Sequence, residues 1–483
     1  MTPNILLVVL DSVRARNTSL YESDAETTPF LEEFAQKATV YEQARAPGTD
    51  SLQSHASIFT GLHVAEHQMR DIGDRLRPGN TIWEELAADG YETGVFSYNS
   101  YLTQAPVGLS DAFETVVSGE NHRVPFPGGF DPSNLNRDGL KRYLEFMQCV
   151  VSSGRPLQSL ANGLALWDVT RPLIPSKFQG LNIVPDSKFT DEFETWVDNR
   201  NGSWAACVNY MCAHTPYLPD PEYNLWADQT ERKLMCDLKS HKWEFIAGCR
   251  PWSERAALER AYNGCIRQVD AELKRLLSTL SRHGELNNTL VVITADHGEG
   301  FGEKGTIRPV RSVAHGTTGG LEEEILHVPL VVKYPNQTEG TRIKTVASLT
   351  EFPTLVRRTI AGERDESGFI PDNGLVLASD SGLSEQKRDS VPEYVEDVEV
   401  YEHGGKAVYR TTRDKRIRKD VKWNGNTMAF DCTSPRETIR LDDPDPTVLQ
   451  EAFAGLEPSK AVTSDDVVPA DDVKARLEQL GYR

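Results

Sequence analysis

The 483-residue sequence is poor in basic residues, and in lysine above all. It has 52 Lys and Arg against 72 Asp and Glu, which gives a formal net charge of −20, and only 18 of its residues are lysines. Such a surface repels nucleic-acid phosphates, which argues against a nucleic-acid partner. It suits a protein that stays hydrated in strong salt, so a halophilic source is one interpretation and an ordinary acidic protein is the other.

Cysteines and long apolar runs are also scarce. The seven cysteines are odd in number and include no CxxC pair, so we expect reduced thiols rather than a disulfide or zinc framework. The longest apolar run near the start, residues 5–10, is too short to span a membrane. No basic segment precedes this run and no signal-type cleavage site follows it. The sequence therefore has no recognisable signal peptide, and we expect a cytoplasmic protein.

The composition is otherwise that of a globular protein, 39% hydrophobic and 26% charged, and the chain is long enough for a large core. Short apolar runs predict buried strands at 5–10, 91–97, 289–294 and 328–332. Amphipathic segments predict helices at 27–38, 81–88 and 253–281. Strands that alternate with helices predict an α/β fold, a mostly parallel sheet sandwiched by helices.

The pattern changes along the chain and predicts three parts. Residues 1–362 form the α/β domain, in which the irregular stretch 103–250 is an insertion over the rim of the sheet. Residues 363–390 are polar and acidic, as in a connector. Residues 391–483 contain short β-type runs, which predict a small antiparallel-sheet subdomain, and an acidic tail with a short helix at 471–480.

Two predicted strands end in acidic residues. Asp11 follows the first run, and Asp296-His297 follows the run at 289–294. Ligands of open α/β sheets bind at the carboxyl ends of strands, where two carboxylates and an imidazole would form a divalent-cation site. Taken alone, Asp11 could equally be a turn or N-cap residue.

A third element is the segment SLQSHASIFTG, residues 51–61, which predicts a helix stopped by Gly61. Ser51 then lies at the helix N-terminus, where backbone N–H groups and the helix dipole favour an anion. A hydroxyl there, beside a cation, is a candidate nucleophile, and a plain N-cap serine is the alternative.

Together these segments resemble the sulfatase family of the alkaline phosphatase superfamily. Eight segments are similar to that family's motifs in the right order, over roughly residues 3–362: PNILLVVLDSVRARNTSLY, SLQSHASIFTG, TIWEELAADGYETGVFSYNS, NYMCAHTPYLPD, AYNGCIRQVDAELKRLL, VVITADHGEGFGEKG, EEEILHVPLVVKYP and SLTEFPTLVRRTIAG. The resemblance implies an alkaline-phosphatase-like fold and a sulfuric ester hydrolase.

The resemblance also implies roles for particular residues. Asp11, Asp296 and His297 would hold one divalent metal, calcium by family resemblance, and Ser51 would complete its coordination as the nucleophile. His214, in the segment HTPY, would contact the transferred group or protonate the leaving oxygen. Three further residues would lie beside the nucleophile or neutralise the anionic transition state: His55, Lys304 and His315. His63 and His67 are interpreted as structural.

The sequence departs from the family in three ways. Ser12 stands where many sulfatases have a second aspartate, which leaves Ca²⁺, Mn²⁺ and Zn²⁺ all open. The nucleophile position holds Ser51 instead of the usual cysteine. Gln53 and His55 replace the Pro and Arg that help to mark that residue for conversion to formylglycine, so conversion of Ser51 is doubtful.

These observations predict a metal-dependent hydrolase of sulfate esters, acting on a small anionic ester or a sulfated glycan. A phosphomonoester or phosphodiester hydrolase, or a phosphotransferase, that uses unmodified Ser51 is the alternative, because a phosphoserine is easier to resolve than a sulfoserine. A catalytically silent anion-binding homologue is the third. The aromatic and basic stretch 226–252 could receive a glycan or be a solvated surface helix.

Overall fold

The computed structural model describes residues 2–21, 23–119, 130, 140–168, 184–228, 231, 242–389, 391–463 and 473. Its helices are α1 (Pro29–Phe34), α2 (Ser51–Thr60), α3 (Val64–His67), α4 (Ile82–Ala88), α5 (Ser100–Thr103), α6 (Leu140–Ser152), α7 (Pro156–Asp168), α8 (Asp186–Asp198), α9 (Lys242–Ile246), α10 (Trp252–Arg282), α11 (Glu323–Leu326), α12 (Phe352–Ile360), α13 (Glu385–Arg388), α14 (Glu399–Glu402) and α15 (Pro446–Ala454). Short 3₁₀ turns connect several of them.

The strands are β1 (Asn4–Leu10), β2 (Thr39–Tyr41), β3 (Ala44–Arg45), β4 (Arg75–Leu76), β5 (Glu92–Ser97), β6 (Thr115–Ser118), β7 (Trp204–Tyr210), β8 (Thr289–Thr294), β9 (Phe301–Lys304), β10 (Arg311–Val313), β11 (Leu330–Lys333), β12 (Thr341–Ile343), β13 (Ala347–Ser348), β14 (Leu375–Asp380), β15 (Gly405–Thr411), β16 (Ile417–Trp423), β17 (Asn426–Ser434), β18 (Glu437–Leu441) and β19 (Val462–Thr463).

Eight strands form the main sheet in the order β12-β2-β11-β8-β1-β7-β5-β6. The central strands β8, β1, β7 and β5 run parallel, and β11 alone is antiparallel to its neighbours β8 and β2. Every residue of β1, β7 and β8 is buried, as expected for strands covered by helices on both faces. The predicted α/β fold with a mostly parallel sheet is confirmed.

A second sheet follows near the C-terminus, with five antiparallel strands in the order β14-β15-β16-β17-β18. Its first strand, β14, lies inside the segment predicted as a connector, because its run of LVLAS is too short to stand out from the polar residues around it. One of the β-type runs expected within 391–483 is VEVYEH, at 398–403, and it contains the short helix α14 instead of a strand. Apart from residue 473, the predicted tail helix at 471–480 lies outside the described residues.

The 31-residue helix α10 confirms the prediction at 253–281, and its buried side chains recur at helical spacing. Helix α1 is shorter than predicted, since a 3₁₀ turn replaces its last residues at 35–37. In the part of the chain that the structure describes, no helix combines the length and the apolar character that crossing a membrane requires.

Candidate active site

The carboxyl ends of β1 and β8 bring three buried side chains together. The strands are parallel neighbours, so Asp11, directly after β1, meets Asp296 and His297, which follow β8. Their potential ligand atoms all lie within 4.8 Å of one another. The sheet therefore produces the cluster that the two strand-end motifs predicted.

Hydrogen bonds hold both carboxylates in place. The Ser12 backbone N–H donates to Oδ1 of Asp296 over 3.2 Å, and the Ser12 hydroxyl donates to Oδ1 of Asp11 over 3.0 Å. Asn99 and Asn209 donate from Nδ2 to the other oxygen of Asp11, over 3.0 and 3.4 Å. Ser12 thus positions both carboxylates.

Sequence reasoning missed Asn99 and Asn209. Both are completely buried, and they lie at the ends of β5 and β7, the strands on the same side of β1. A polar amide at the end of an apolar strand was the available signal, because such a group must find a partner inside the protein.

The imidazole of His297 has a fixed orientation. Its Nδ1 donates to the carbonyl oxygen of Gly298 over 2.8 Å, which leaves Nε2 directed at the cluster, 3.4 Å from Oδ2 of Asp296. Gly298 is needed for this turn, because a Cβ there would lie 2.0 Å from the Glu324 carbonyl oxygen. Burial favours the neutral acid of Asp296, but His297 and His55 outweigh burial and lower the pKa of the Asp296 carboxyl.

This donor set fits a divalent cation. Oδ2 of Asp296 is buried and accepts no hydrogen bond of normal geometry among the described residues, although an imidazole nitrogen lies on either side of it. A carboxylate oxygen in that state is a strong ligand for a cation. Asp11, Asp296 and His297 would be the ligands.

Ser51 lies at this cluster, in the first turn of α2. Its hydroxyl is 3.2 Å from Nε2 of His297. The N-cap of α2 is Asp50, whose carboxylate accepts from the Gln53 N–H over 3.0 Å, so Ser51 is not the capping residue. The alternative of a plain N-cap serine is therefore wrong, and the Ser51 hydroxyl is directed at the candidate metal ligands.

His55 lies one turn further along α2 than Ser51, on the same face of the helix. Its Nδ1 donates to the Ser51 carbonyl oxygen over 2.8 Å and is 3.7 Å from Oδ2 of Asp296. The ring packs edge-on against Phe59, with 5.8 Å between the ring centroids. His55 thus joins the helix of the candidate nucleophile to a candidate metal ligand.

Two further histidines extend the cluster. The rings of His297 and His315 stack at 4.5 Å, and the ring of His214 lies 5.1 Å from that of His315. Nδ1 of His214 donates to the Thr215 carbonyl oxygen over 2.8 Å. The rings of His214 and His315 thus lie beside the candidate metal ligand His297.

Glu299 fixes His315, at 3.3 Å from its Nδ1. Burial and the charge of His297 lower the pKa of His315, although the carboxylate of Glu299 acts in the opposite direction. For Glu299, burial is outweighed by His315, Arg255 and a hydrogen bond from Tyr217, which together lower its pKa to about 2. Glu299 is thus a buried anion behind the histidines.

Lys304 is not among these buried residues. It is exposed in β9, opposite Arg311 of β10. A different lysine, Lys242 at the start of α9, interacts electrostatically with Glu299 and Asp50. Burial, together with Lys387, lowers the pKa of Lys242 to about 8, while the charges of Glu299 and Asp50 act in the opposite direction. Its flanking residues 232–241, in the predicted aromatic and basic stretch, lie outside the described part of the chain.

His63 is the N-cap of α3, and His67 is the last residue of that helix. Nε2 of His67 lies 3.0 Å from the Ser57 hydroxyl, and its Nδ1 accepts from the Met69 N–H over 3.1 Å. Burial lowers the pKa of His67 to about 3, so it is neutral at physiological pH. These contacts agree with the structural interpretation.

Comparisons with known proteins agree with the geometry. The family model described as Sulfatase matches residues 3–359. An arylsulfatase of Clostridium perfringens is 23% identical over 339 residues, which cover 64% of this chain and 65% of that protein. An N-acetylglucosamine-6-O-sulfatase of Bacteroides thetaiotaomicron is 30% identical, over 73% of this chain and 67% of that protein. The chain thus spans about 55–65% of the length of three of the curated relatives that it matches, the arylsulfatase among them.

Solved structures show the same fold. The phosphonate monoester hydrolase from Silicibacter pomeroyi superposes with a TM-score of 0.59 and 17% sequence identity, covering 89% of both chains. At this identity the likeness concerns the arrangement of the strands and helices.

Proposed function

Because the chain belongs to the sulfatase family, we propose that it is a metal-dependent hydrolase of sulfate esters with Ser51 at the reacting centre. The observation that carries the proposal is the position of the Ser51 hydroxyl, 3.2 Å from His297 beside two buried carboxylates. A hydroxyl used only for helix capping has no need of such neighbours.

A divalent ion held by Asp11, Asp296 and His297 would polarise an ester oxygen and favour ionisation of a nearby hydroxyl. Family resemblance favours calcium, which prefers oxygen ligands, whereas an imidazole ligand suits manganese or zinc better. Asn99 and Asn209, which donate to Oδ2 of Asp11, would keep that carboxylate in place for the ion.

The substrate is an anion, although the chain carries a net charge of −20. The site must therefore be positive locally. Ser51 lies in the first turn of the ten-residue helix α2, where backbone N–H groups and the helix dipole attract negative charge. Lys242 adds an ammonium group whose charge interacts with that of Asp50, the residue before Ser51.

His214 is the candidate donor of a proton to the leaving oxygen. Its Nδ1 is held by the Thr215 carbonyl, and its ring neighbours His315 in the cluster. A fixed imidazole of this kind can act as a general acid on an ester whose transferred group lies near Ser51.

A phosphoester hydrolase or phosphotransferase is the second candidate, and the residues around Ser51 favour it. Gln53 and His55 replace the residues that help to mark the position for conversion to formylglycine. An unmodified serine would be left with a stable sulfate ester, whereas water can resolve a phosphoserine with metal assistance. The structural likeness to a phosphonate monoester hydrolase is compatible with this chemistry.

The deciding experiment combines a mass measurement with an activity panel. The peptide that contains Ser51 is weighed, and the purified protein is assayed on matched aryl sulfates, aryl phosphates and aryl phosphonates with calcium, manganese or zinc. If the protein is a sulfatase, we expect the Ser51 peptide to be lighter by one H₂, as formylglycine would be. We also expect the aryl sulfate to be hydrolysed faster than the phosphate and the phosphonate. Phosphate turnover with an unmodified peptide would favour the second candidate.

Two variants sharpen this test. Ser51→Ala removes the candidate nucleophile and should abolish turnover, whereas Ser54→Ala, another buried serine of the same helix, should retain it. Equal activity in the two variants would refute the assignment of Ser51. Absence of turnover and of bound metal in the unaltered protein would favour the silent anion-binding homologue.

A further inference from the structure

A polar groove lies between α3 and one end of the C-terminal sheet, outside the candidate active site. It has a volume of about 610 Å³. Its walls are α3, the end of β14, the start of β15 and the turn between β16 and β17. This volume is sufficient for a ligand of several rings.

The groove carries positive charge that nothing in the described structure neutralises. Three cationic side chains line it: Arg70, Lys406 and Lys422. None of the three forms an ion pair with another described residue. The ammonium of Lys406 does lie 4.7 Å from the ring centroid of Phe453, a contact that leaves its charge uncompensated.

The groove's two carboxylates are both paired. Asp380 lies 3.5 Å from Arg308, and Glu402 lies 3.0 Å from Arg388. Against a chain charge of −20, three uncompensated cations around one hollow are a local reversal of sign. Such a reversal attracts an anionic ligand that the rest of the surface repels.

The groove continues beyond this hollow. A second hollow of about 280 Å³ shares Gln68 and Arg70 with it. The two hollows therefore flank the same arginine, but Glu66 and Asp74 line the second one, so an anionic ligand is favoured in the first hollow.

One wall of the groove also contacts the helix of the candidate nucleophile. Ser381, which lines the groove, accepts a hydrogen bond from Nε2 of Gln53 over 3.3 Å, and Gln53 lies two residues after Ser51. Helix α3 follows α2 directly after the turn at Gly61 and Leu62. A ligand in the groove would thus lie against the elements that carry Ser51.

We propose that this groove binds a sulfated oligosaccharide through Arg70, Lys406 and Lys422. The lining offers hydroxyl, amide and carboxylate groups for sugar hydroxyls, and Val64 and Ala65 are the apolar side chains among the lining residues. Because most of the lining is polar, the groove is poorly suited to a ligand that binds mainly through apolar contacts. That the bound chain is the distal part of the substrate at Ser51 rests on the proposed function, whereas the binding itself does not.

The test measures binding of fluorescently labelled dextran sulfate oligosaccharides by polarisation, with neutral dextran of the same length as the comparison ligand. The double variant Lys406→Glu/Lys422→Glu reverses two charges of the groove, and we expect at least about tenfold weaker binding. Lys274→Glu, at an exposed lysine of α10 outside the groove, makes the same kind of change and should bind as the unaltered protein does.

Thermal unfolding and turnover of a small aryl ester serve as controls, because both lysines are exposed and lie outside the Ser51 cluster. We expect both measurements to be unchanged in the double variant. Equal dextran sulfate binding by the double variant and the unaltered protein would overturn the proposal, and so would equal binding of neutral dextran. Charge-dependent binding by a protein that hydrolyses no ester would support the groove and refute the proposed activity.

Discussion

The change Glu323→Gln should strongly destabilise the protein, because Glu323 joins the two sheets inside the core. Its carboxylate lies 2.9 Å from the guanidinium of Arg45 and 2.8 Å from the ammonium of Lys419, and it accepts from the Tyr409 hydroxyl over 2.7 Å. Arg45 and Lys419 are fully buried. Neutralising Glu323 leaves two buried cations without a counter-ion, for which about 3–5 kcal/mol of unfolding free energy is expected.

The effect should depend on pH in a defined direction. Burial opposes ionisation of Glu323, but Arg45 and Lys419 outweigh it and hold its pKa well below the usual range. A carboxyl with a depressed pKa in the folded state stabilises fully above its unfolded pKa of about 4.3, and this stability is lost as the pH falls toward the folded value. The difference in unfolding free energy between the unaltered protein and the Glu323→Gln variant should therefore become smaller below about pH 4.3.

Urea unfolding at pH 7 and at a series of lower pH values measures this difference. Glu363→Gln is the matched control, since Glu363 is exposed and forms no ion pair among the described residues. A loss below about 1 kcal/mol for Glu323→Gln at pH 7, or a loss that stays constant as the pH falls, would refute the reasoning. Because Arg45 precedes α2 and Glu323 follows His315, the same network also secures two segments of the candidate site.

Four further outcomes are expected. Asn99→Ala should weaken divalent-ion binding about 10–100-fold in calorimetry by releasing Asp11, whereas exposed Asn201→Ala should not. Removal of the ion with a chelator should lower both activity and melting temperature, and the fitting ion alone should restore them. With Lys242 protonated below its pKa of about 8, kcat/KM should fall as the pH rises through that value, and Lys242→Arg should abolish the fall. His214→Gln should slow esters with poor leaving groups about 10²–10⁴-fold and activated aryl esters much less.

Much of the site was predictable because its signals are local. An apolar run that ends in an acidic residue marks the end of a buried strand, and Asp11 and Asp296-His297 have this pattern. The segment 51–61 ends with Gly61 in a left-handed conformation, which is the usual helix stop. These features depend on neighbouring residues, and the structure places them as the sequence indicated.

Other residues needed contacts between distant segments. Asn99 and Asn209 are 110 residues apart in sequence and meet Asp11 only because β5, β7 and β1 are adjacent in the sheet. Lys304 follows the motif DHGEGFGE, which made it a candidate, but the turn into the β9–β10 hairpin exposes it. Lys242 lies in the aromatic and basic stretch 226–252, and that pattern alone did not indicate that its charge would interact with Glu299 and Asp50.

The sequence by itself determined the fold class, the family and the three metal-ligating candidates, because strand ends and motif order are encoded in short stretches of chain. Only the tertiary structure decided that Asp50 rather than Ser51 caps α2, which leaves the Ser51 hydroxyl for His297. The cationic groove also depends on the tertiary structure. Arg70 lies just after α3 and Lys406 lies in β15, so the two meet only when the C-terminal sheet packs against α3. Electrostatic sites depend on distances in space, and the chain specifies those distances only once it has folded.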